Sequence, residues 1–209
     1  MKVSIMQPAF LPPASYFRLF AASDLFVILD TVQFNRRWYT HRQMLMTNDG
    51  TSDWLTLPIK KASRDTTMIK DLEWASNYQQ TWSKEIRRFE VMEQGQIQEP
   101  TPLMFVCNSL FNTCNVLGIP LKVGIASQIP IDPNLRGQDR ILAICEQVKA
   151  TEYINSPGGK ELYNAIDFAD KGISLRFLPE WTGSYSSVIE RIANGELPED
   201  IRKEIYENL

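Results

Sequence analysis

"VSIMQPAFLPPASYFRLFAASDLFVILDTVQF", residues 3–34, runs from a short apolar stretch through a proline-rich break into a helical pattern, then back to a second apolar stretch ending in aspartate. Val3–Met6 is short, β-branched and unpatterned, which reads as a buried strand, and Pro8, Pro12 and Pro13 stop regular structure beyond it. Proline is tolerated in a helix's first turn, and Tyr16, Phe17, Leu19 and Phe20 form one broad apolar face, so a helix follows and Asp24 stops it. "LFVILD" (25–30) is the second unpatterned run. Two such runs separated by a helix indicate a right-handed βαβ unit with a parallel sheet. Ligands of open parallel sheets bind beyond the carboxyl ends of the strands. "MQPAFLPP" and "DTVQFNRRW" are therefore expected side by side at one rim, as half of a binding site.

The alternation continues outward from this unit. "DWLTLPIKK" (53–61) reads as a strand halted by Pro58, and "ASRDTTMIKD" (62–71) as a mobile connection. In "NYQQTWSKEIRRFEVME" (77–93), Tyr78, Trp82, Ile86 and Phe89 fall on one helix face. "TPLMFVCNSLFNTCNVLGIP" (101–120) has Thr101 as cap, Pro102 at the first helical position, Gly118 at the stop and Pro120 beyond. Strand "LKVGIAS" (121–127), helix 137–150, strand "TEYINS" (151–156), a turn and helix over 157–172 and strand "ISLRFLP" (173–179) complete the pattern. The C-terminal segment 184–209 reads as a tail of two short helices split by Asn194, Gly195 and Pro198. The fold class is thus α/β: an open, mostly parallel sheet of about five strands with helices on both faces, in one domain over 1–209.

Composition narrows the function classes. With 209 residues, 44% hydrophobic and 22% charged, the chain can bury a substantial core. A net charge of −3 argues against a general nucleic-acid binder. No long apolar span or signal peptide is visible, so no membrane insertion is expected and the cytoplasm is the default compartment. Cys107, Cys114 and Cys145 match no metal-ligand spacing and read as buried hydrophobes, and no metal or cofactor is specified.

The candidate site residues follow from chemistry at strand ends. "SPGGK" (156–160) carries the chain from a strand into a helix, where backbone N–H groups of Gly158 and Gly159 and the charge of Lys160 suit an anion, though a tight turn alone also favours glycine. It lacks P-loop spacing. "NRRWYTHR" (35–42) places Arg36, Arg37, Arg42 and the sole histidine, His41, beside Trp38 and Tyr39; guanidinium groups bind phosphate or carboxylate, and histidine transfers protons near neutral pH. Ser127, after a strand and before Arg136 and Gly137, is a further phosphate candidate or an ordinary turn residue.

The opening stretch, with Met-Gln-Pro, an aromatic-rich helix, a strand ending in Asp, then Val-Gln and an aromatic, resembles the signature of the WbqC-like protein family. Similar features recur at "WLTLPIKK", "EYINSPGGKELY" and "YSSVIERIANGE". Matching positions are Gln7, Pro8, Tyr16, Asp30, Gln33, Trp38, Arg42, Gly158, Gly159 and Lys160. The resemblance implies association with bacterial surface-polysaccharide and O-antigen biosynthesis and a transferase role, with attachment of a glycine-like aminoacyl group to a sugar suggested. The first βαβ unit is also similar to that of nucleotidyltransferases and pantothenate-synthetase-type enzymes. Their His-x-Gly-His motif is replaced here by "PASY", so the histidines that would stabilise a triphosphate are missing. The segment before "SSVIERIANGE" is shortened, and Glu190 stands where the family tends to have Asp.

The expected function is a group transferase acting on a phosphorylated or nucleotide-linked sugar. Gln7 and Asp30 would orient polar groups, Arg36, Arg42 and Lys160 would neutralise phosphate, and His41 would act as general base, with Asp30 the second catalytic candidate. Gln7, Asp30, Arg36 or Arg37, and Lys160 are expected to converge on one cleft. The alternatives are a nucleotide-fold binding module without turnover, or an ATP-using nucleotidyltransferase-like enzyme with a degenerate motif.

Overall fold

A computed structural model describes residues 1–63, 66–89 and 96–209. Five parallel strands form the main sheet: β1 (Lys2–Met6), β2 (Leu25–Ile28), β5 (Val123–Ile125), β6 (Glu152–Asn155) and β7 (Ser174–Phe177), in spatial order β5-β2-β1-β6-β7. All five expected strands are present. β2 stops two residues short of Asp30, although the Leu29 N–H still donates to the Met6 carbonyl.

Period-two alternation assigns the faces. Phe26, Ile28 and Ile154 point into one core, shared with helices α1 (Ala14–Ala22), α3 (Pro102–Leu117) and α7 (Pro198–Glu207). Val3, Ile5, Val27 and Tyr153 point into the other, against α4 (Gly137–Gln147) and α5 (Ala165–Ala169). Phe20 of α1 stacks on Phe26 with ring centroids 3.8 Å apart, and burying each such side chain contributes about 2–3 kcal/mol. Cys107 and Cys114 lie in the first core and Cys145 in the second, with burial pushing each thiol up to about 12.

The punctuation of α3 acts as its sequence indicates. Thr101 Oγ1 accepts from the Met104 N–H at 3.2 Å, and Gly118 takes a left-handed φ of 64° while its N–H closes on Asn115 and Cys114. The C-terminal segment is α6 (Val188–Ala193) followed by α7. The helical tail packs into the core, with Ile201 and Ile205 fully buried beside α1 and α3.

A second sheet pairs the strand expected over 53–61 with one that the sequence pattern does not reveal. β3 (Arg42–Met46) pairs antiparallel with β4 (Ser52–Thr56), and Asp49 accepts from the hydroxyls of Thr47 and Thr51 in the turn. The helix expected over 77–93 is α2 (Tyr78–Ile86); residues 90–93 lie outside the described ones. The expected mobile connection contains a 3₁₀ turn, Ile69–Asp71, whose fully buried Ile69 packs with Phe34 and Leu72, while residues 64 and 65 lie outside the described ones.

Candidate functional site

In the main sheet the chain leaves β1 toward β2 on one side, while β6 flanks β1 on the other, so the strand order reverses between β1 and β6. Such a switch point leaves a crevice beyond the strand ends. A cleft of about 840 Å³ opens there. Its floor is Met6, Ala9 and the start of α1, with Ser156, Pro157 and Gly158 opposite. The β3–β4 hairpin supplies Gln43, Met44 and Met46, Tyr39 adds its ring, and the loop after β7 supplies Trp181 and Tyr185.

The charged groups of this cleft have contrasting partners. Arg18, 2% exposed on the otherwise apolar α1, donates through Nε to the Asn208 carbonyl at 2.8 Å and through Nη2 to the Pro179 carbonyl at 2.7 Å, and stacks over Trp181. Burial lowers its pKa, but the cation is spent on backbone oxygens. Glu190 Oε1 accepts from the Met46 N–H, tying α6 to the hairpin. Glu180 lines the cleft and is exposed. Gln43 is 5% exposed, and its Oε1 has no hydrogen-bond partner among the described residues. Tyr16 donates its hydroxyl to the Gln7 carbonyl at 2.8 Å, and desolvation raises its pKa well above the ordinary phenol range. The open chemistry of the cleft is therefore aromatic faces, the acceptors Gln43 Oε1 and Glu180, and small polar side chains such as Ser15 and Asn194.

The sequence-derived residues divide rather than converge. Tyr16 and Gly158 line the cleft. Gln7 and the buried Pro8 follow β1 at the same rim. Gly159 is buried against Asn155, and its N–H already donates to the Ser156 carbonyl at 3.0 Å, within a 3₁₀ turn of six residues, Pro157–Leu162. Lys160 projects from that turn, exposed, and lines neither this cleft nor the hollow described next. Asp30 is 1% exposed and holds Ser127 twice, accepting from its N–H at 2.9 Å and its Oγ at 2.6 Å, which clasps the ends of β2 and β5 together. Gln33 forms a bridge to Met68.

A separate hollow of about 390 Å³ sits at the other end of the hairpin, lined by Arg36, His41, Trp54, Thr56, Thr81 and Glu85 among others. His41 is 4% exposed, packs edge-on to Phe34, and has its pKa lowered to about 4 by burial first and then by Arg42 and Arg36. It is thus a neutral imidazole at pH 7, the form a base requires, but it lies outside the main cleft. Arg42 stacks over Trp54 at 4.1 Å and donates to the Arg37 carbonyl at 2.9 Å. Arg37 and Trp38 are exposed.

The unread β3 explains the division: pairing residues 42–46 with 52–56 sets Arg36 and His41 in the hollow at the base of the hairpin, while Tyr39 between them lines the main cleft. Sequence reasoning missed Arg18, Gln43, Trp181 and Tyr185 as cleft residues. Two signals were available: a lone arginine inside "YFRLF", and two aromatic residues in the small-residue loop "EWTGSYSS" just past a parallel strand. Among the described residues no group of three or more His, Cys, Asp or Glu side chains is placed to hold a metal ion, and no helix is long and apolar enough to cross a membrane.

Comparison with known proteins follows the same outline. The sequence matches the WbqC-like protein family over residues 7–96 and 89–190. It is also similar to an uncharacterized protein of Mycobacterium tuberculosis (strain ATCC 25618 / H37Rv), 26% identical over 191 residues that cover 83% of this chain and 80% of the relative. No solved structure matches.

Proposed function

We propose that this chain, which belongs to the WbqC-like protein family, is a group transferase that holds a sugar-bearing substrate in the switch-point cleft. One observation carries the reading: the cleft at the carboxyl ends of β1 and β6 combines aromatic walls with open acceptors, while its arginine is already committed to backbone carbonyls. Sugar rings stack their C–H faces on Tyr and Trp side chains, and their hydroxyls donate to carboxylates and amide oxygens. Tyr39, Trp181 and Tyr185 would supply the faces, and Gln43 and Glu180 the acceptors. The family resemblance supports a surface-polysaccharide setting in the bacterial cytoplasm and an aminoacyl group as the one transferred. Catalysis would then rest on holding donor and acceptor together, since positioning alone supplies several kcal/mol of barrier reduction.

The rival reading is a binding module without turnover. It is favoured by "PASY" at the start of α1, where no histidine stands, and by cysteines too buried to ionise. A thermal-shift series with nucleotides, ATP, nucleotide sugars and activated amino acids, followed by mass analysis of products, separates the readings. A ligand at a hundredfold its Kd stabilises by about 2.7 kcal/mol, which such a series detects. Stabilisation by a nucleotide sugar, with mass added to the sugar when an activated amino acid is present, is the expected result. Stabilisation without product leaves the binding module; ATP as the sole ligand, with nucleotidyl product, leaves the degenerate nucleotidyltransferase.

A further inference from the structure

We propose that the hollow at the base of the β3–β4 hairpin is a second binding site, for a small oxyanion of the phosphate type, built from Arg36, His41, Thr56 and Thr81. It does not depend on the transferase reading of the main cleft.

Unpartnered nitrogens carry the assignment. Arg36 lines the hollow with its side chain exposed, and its guanidinium takes part in no hydrogen bond or ion pair among the described residues. His41 lines it too, 4% exposed, with Nδ1 unpartnered. Buried polar nitrogens nearly always have partners, so the unpartnered, solvent-inaccessible Nδ1 of a residue that lines the hollow marks a place where a partner is missing. Arg42 sits behind Trp54, and its Nε is also buried without a partner. Thr56 and Thr81 bring hydroxyl donors from β4 and α2. The charged groups facing His41 are Arg36 and Arg42 from its own segment and Glu85 across the hollow from α2. Glu85 accepts from Arg88 Nη1 at 2.8 Å, which offsets its charge. The balance is cationic and donor-rich, and guanidinium with imidazole matches the acceptor oxygens of a phosphate group. A volume of about 390 Å³ admits phosphate with a small substituent.

The hollow is not an extension of the cleft. Tyr39 lines the cleft, Trp54 lines the hollow, and their rings lie 5.9 Å apart with Arg42 on the Trp54 face. An anion in the hollow therefore rests behind an aromatic partition whose other side is the main site.

The sole histidine makes the test direct, because its Cε1 proton gives one assignable resonance. Inorganic phosphate added at pH 6 is expected to shift that resonance saturably and to move the imidazole titration upward from about 4, since a bound anion favours the charged ring. Sodium chloride at matched ionic strength should do neither. A sugar phosphate should act like inorganic phosphate, whereas the unphosphorylated sugar should leave the resonance in place; the reverse ranking assigns the hollow to the sugar and overturns the proposal. Arg36→Ala, and Arg36→Gln as a check that retains bulk, are expected to weaken phosphate binding about tenfold, the loss of one charge-assisted hydrogen bond. His41→Gln should retain binding at pH 7 and lose the strengthening toward acid. A wild-type resonance unmoved by phosphate, or unchanged affinity in both Arg36 variants, overturns the site.

Discussion

The two cavities along the β3–β4 hairpin are lined by opposite chemistry. In the larger cleft the one cation, Arg18, is held by two carbonyls, and what remains open is acceptors, Gln43 Oε1 and Glu180, beside aromatic faces. In the smaller hollow the carboxylate of Glu85 is engaged by Arg88, and what remains without a partner is the exposed guanidinium of Arg36 and the buried Nδ1 of His41. A buried charge with all its partners inside the chain acts as framework, whereas the exposed Arg36 guanidinium is free to meet a ligand. The same residue type therefore does different work in the two places.

Arg18→Leu breaks that comparison on its framework side. It removes the donor to the Asn208 and Pro179 carbonyls, in bonds that are only partly buried, and the stacking on Trp181, so a stability loss of about 1–3 kcal/mol is expected in urea unfolding. A variant that kept its urea midpoint but lost ligand response would move Arg18 from framework to ligand contact.

His41 gives the next effect. Its pKa falls from 6.5 to about 4 on folding, so between those values the unfolded chain binds a proton that the folded chain does not. The stability of the neutral imidazole is full above pH 6.5 and is lost as pH falls toward 4, about 3 kcal/mol in all. In phosphate-free buffer, His41→Gln should remove that share of the acid sensitivity. Parallel pH profiles for the two proteins would show that the ring is not held neutral.

The smallest effect separates two neighbours. A Cβ on Gly159 would stand 2.4 Å from Asn155 Nδ2 and 3.3 Å from Tyr163, whereas one on Gly158 meets nothing within 4 Å. Gly159→Ala should cost about 1–3 kcal/mol by overpacking, and Gly158→Ala less than about 0.5 kcal/mol. Because Gly158 lines the cleft, its variant should register in ligand-induced thermal shift; equal stability losses in the two would remove the distinction.

The main sheet was readable because its strands are unpatterned apolar runs and its helices carry explicit stops, as at Thr101, Pro102 and Gly118. β3 was not, because "RQMLM" inverts the usual rule: Gln43 is buried while Met44 and Met46 are exposed at the cleft. With that strand unread, the sequence places Arg36 or Arg37 in one cleft with Lys160, whereas Arg36 lines the hollow at the base of the hairpin. The location of the rim was legible from strand order alone. Its composition was not, since the walls come from segments far apart in sequence and Arg18 is recognisable as framework only once Asn208 and Pro179 are seen around it.

The central position of β1 also bears on how the chain is made. β2 is available to it almost at once, but its other edge is covered only by β6, with Val3 opposite Tyr153. At translation rates of about 5–20 residues per second, the roughly 150 residues between them take on the order of 8–30 s to appear. For that interval the nascent βαβ unit presents an apolar strand with one open edge, a template for pairing with other chains. Closure of the sheet by so distant a partner makes folding slow as well as late. An open strand edge on the nascent chain is thus a point at which pairing with other chains competes with folding.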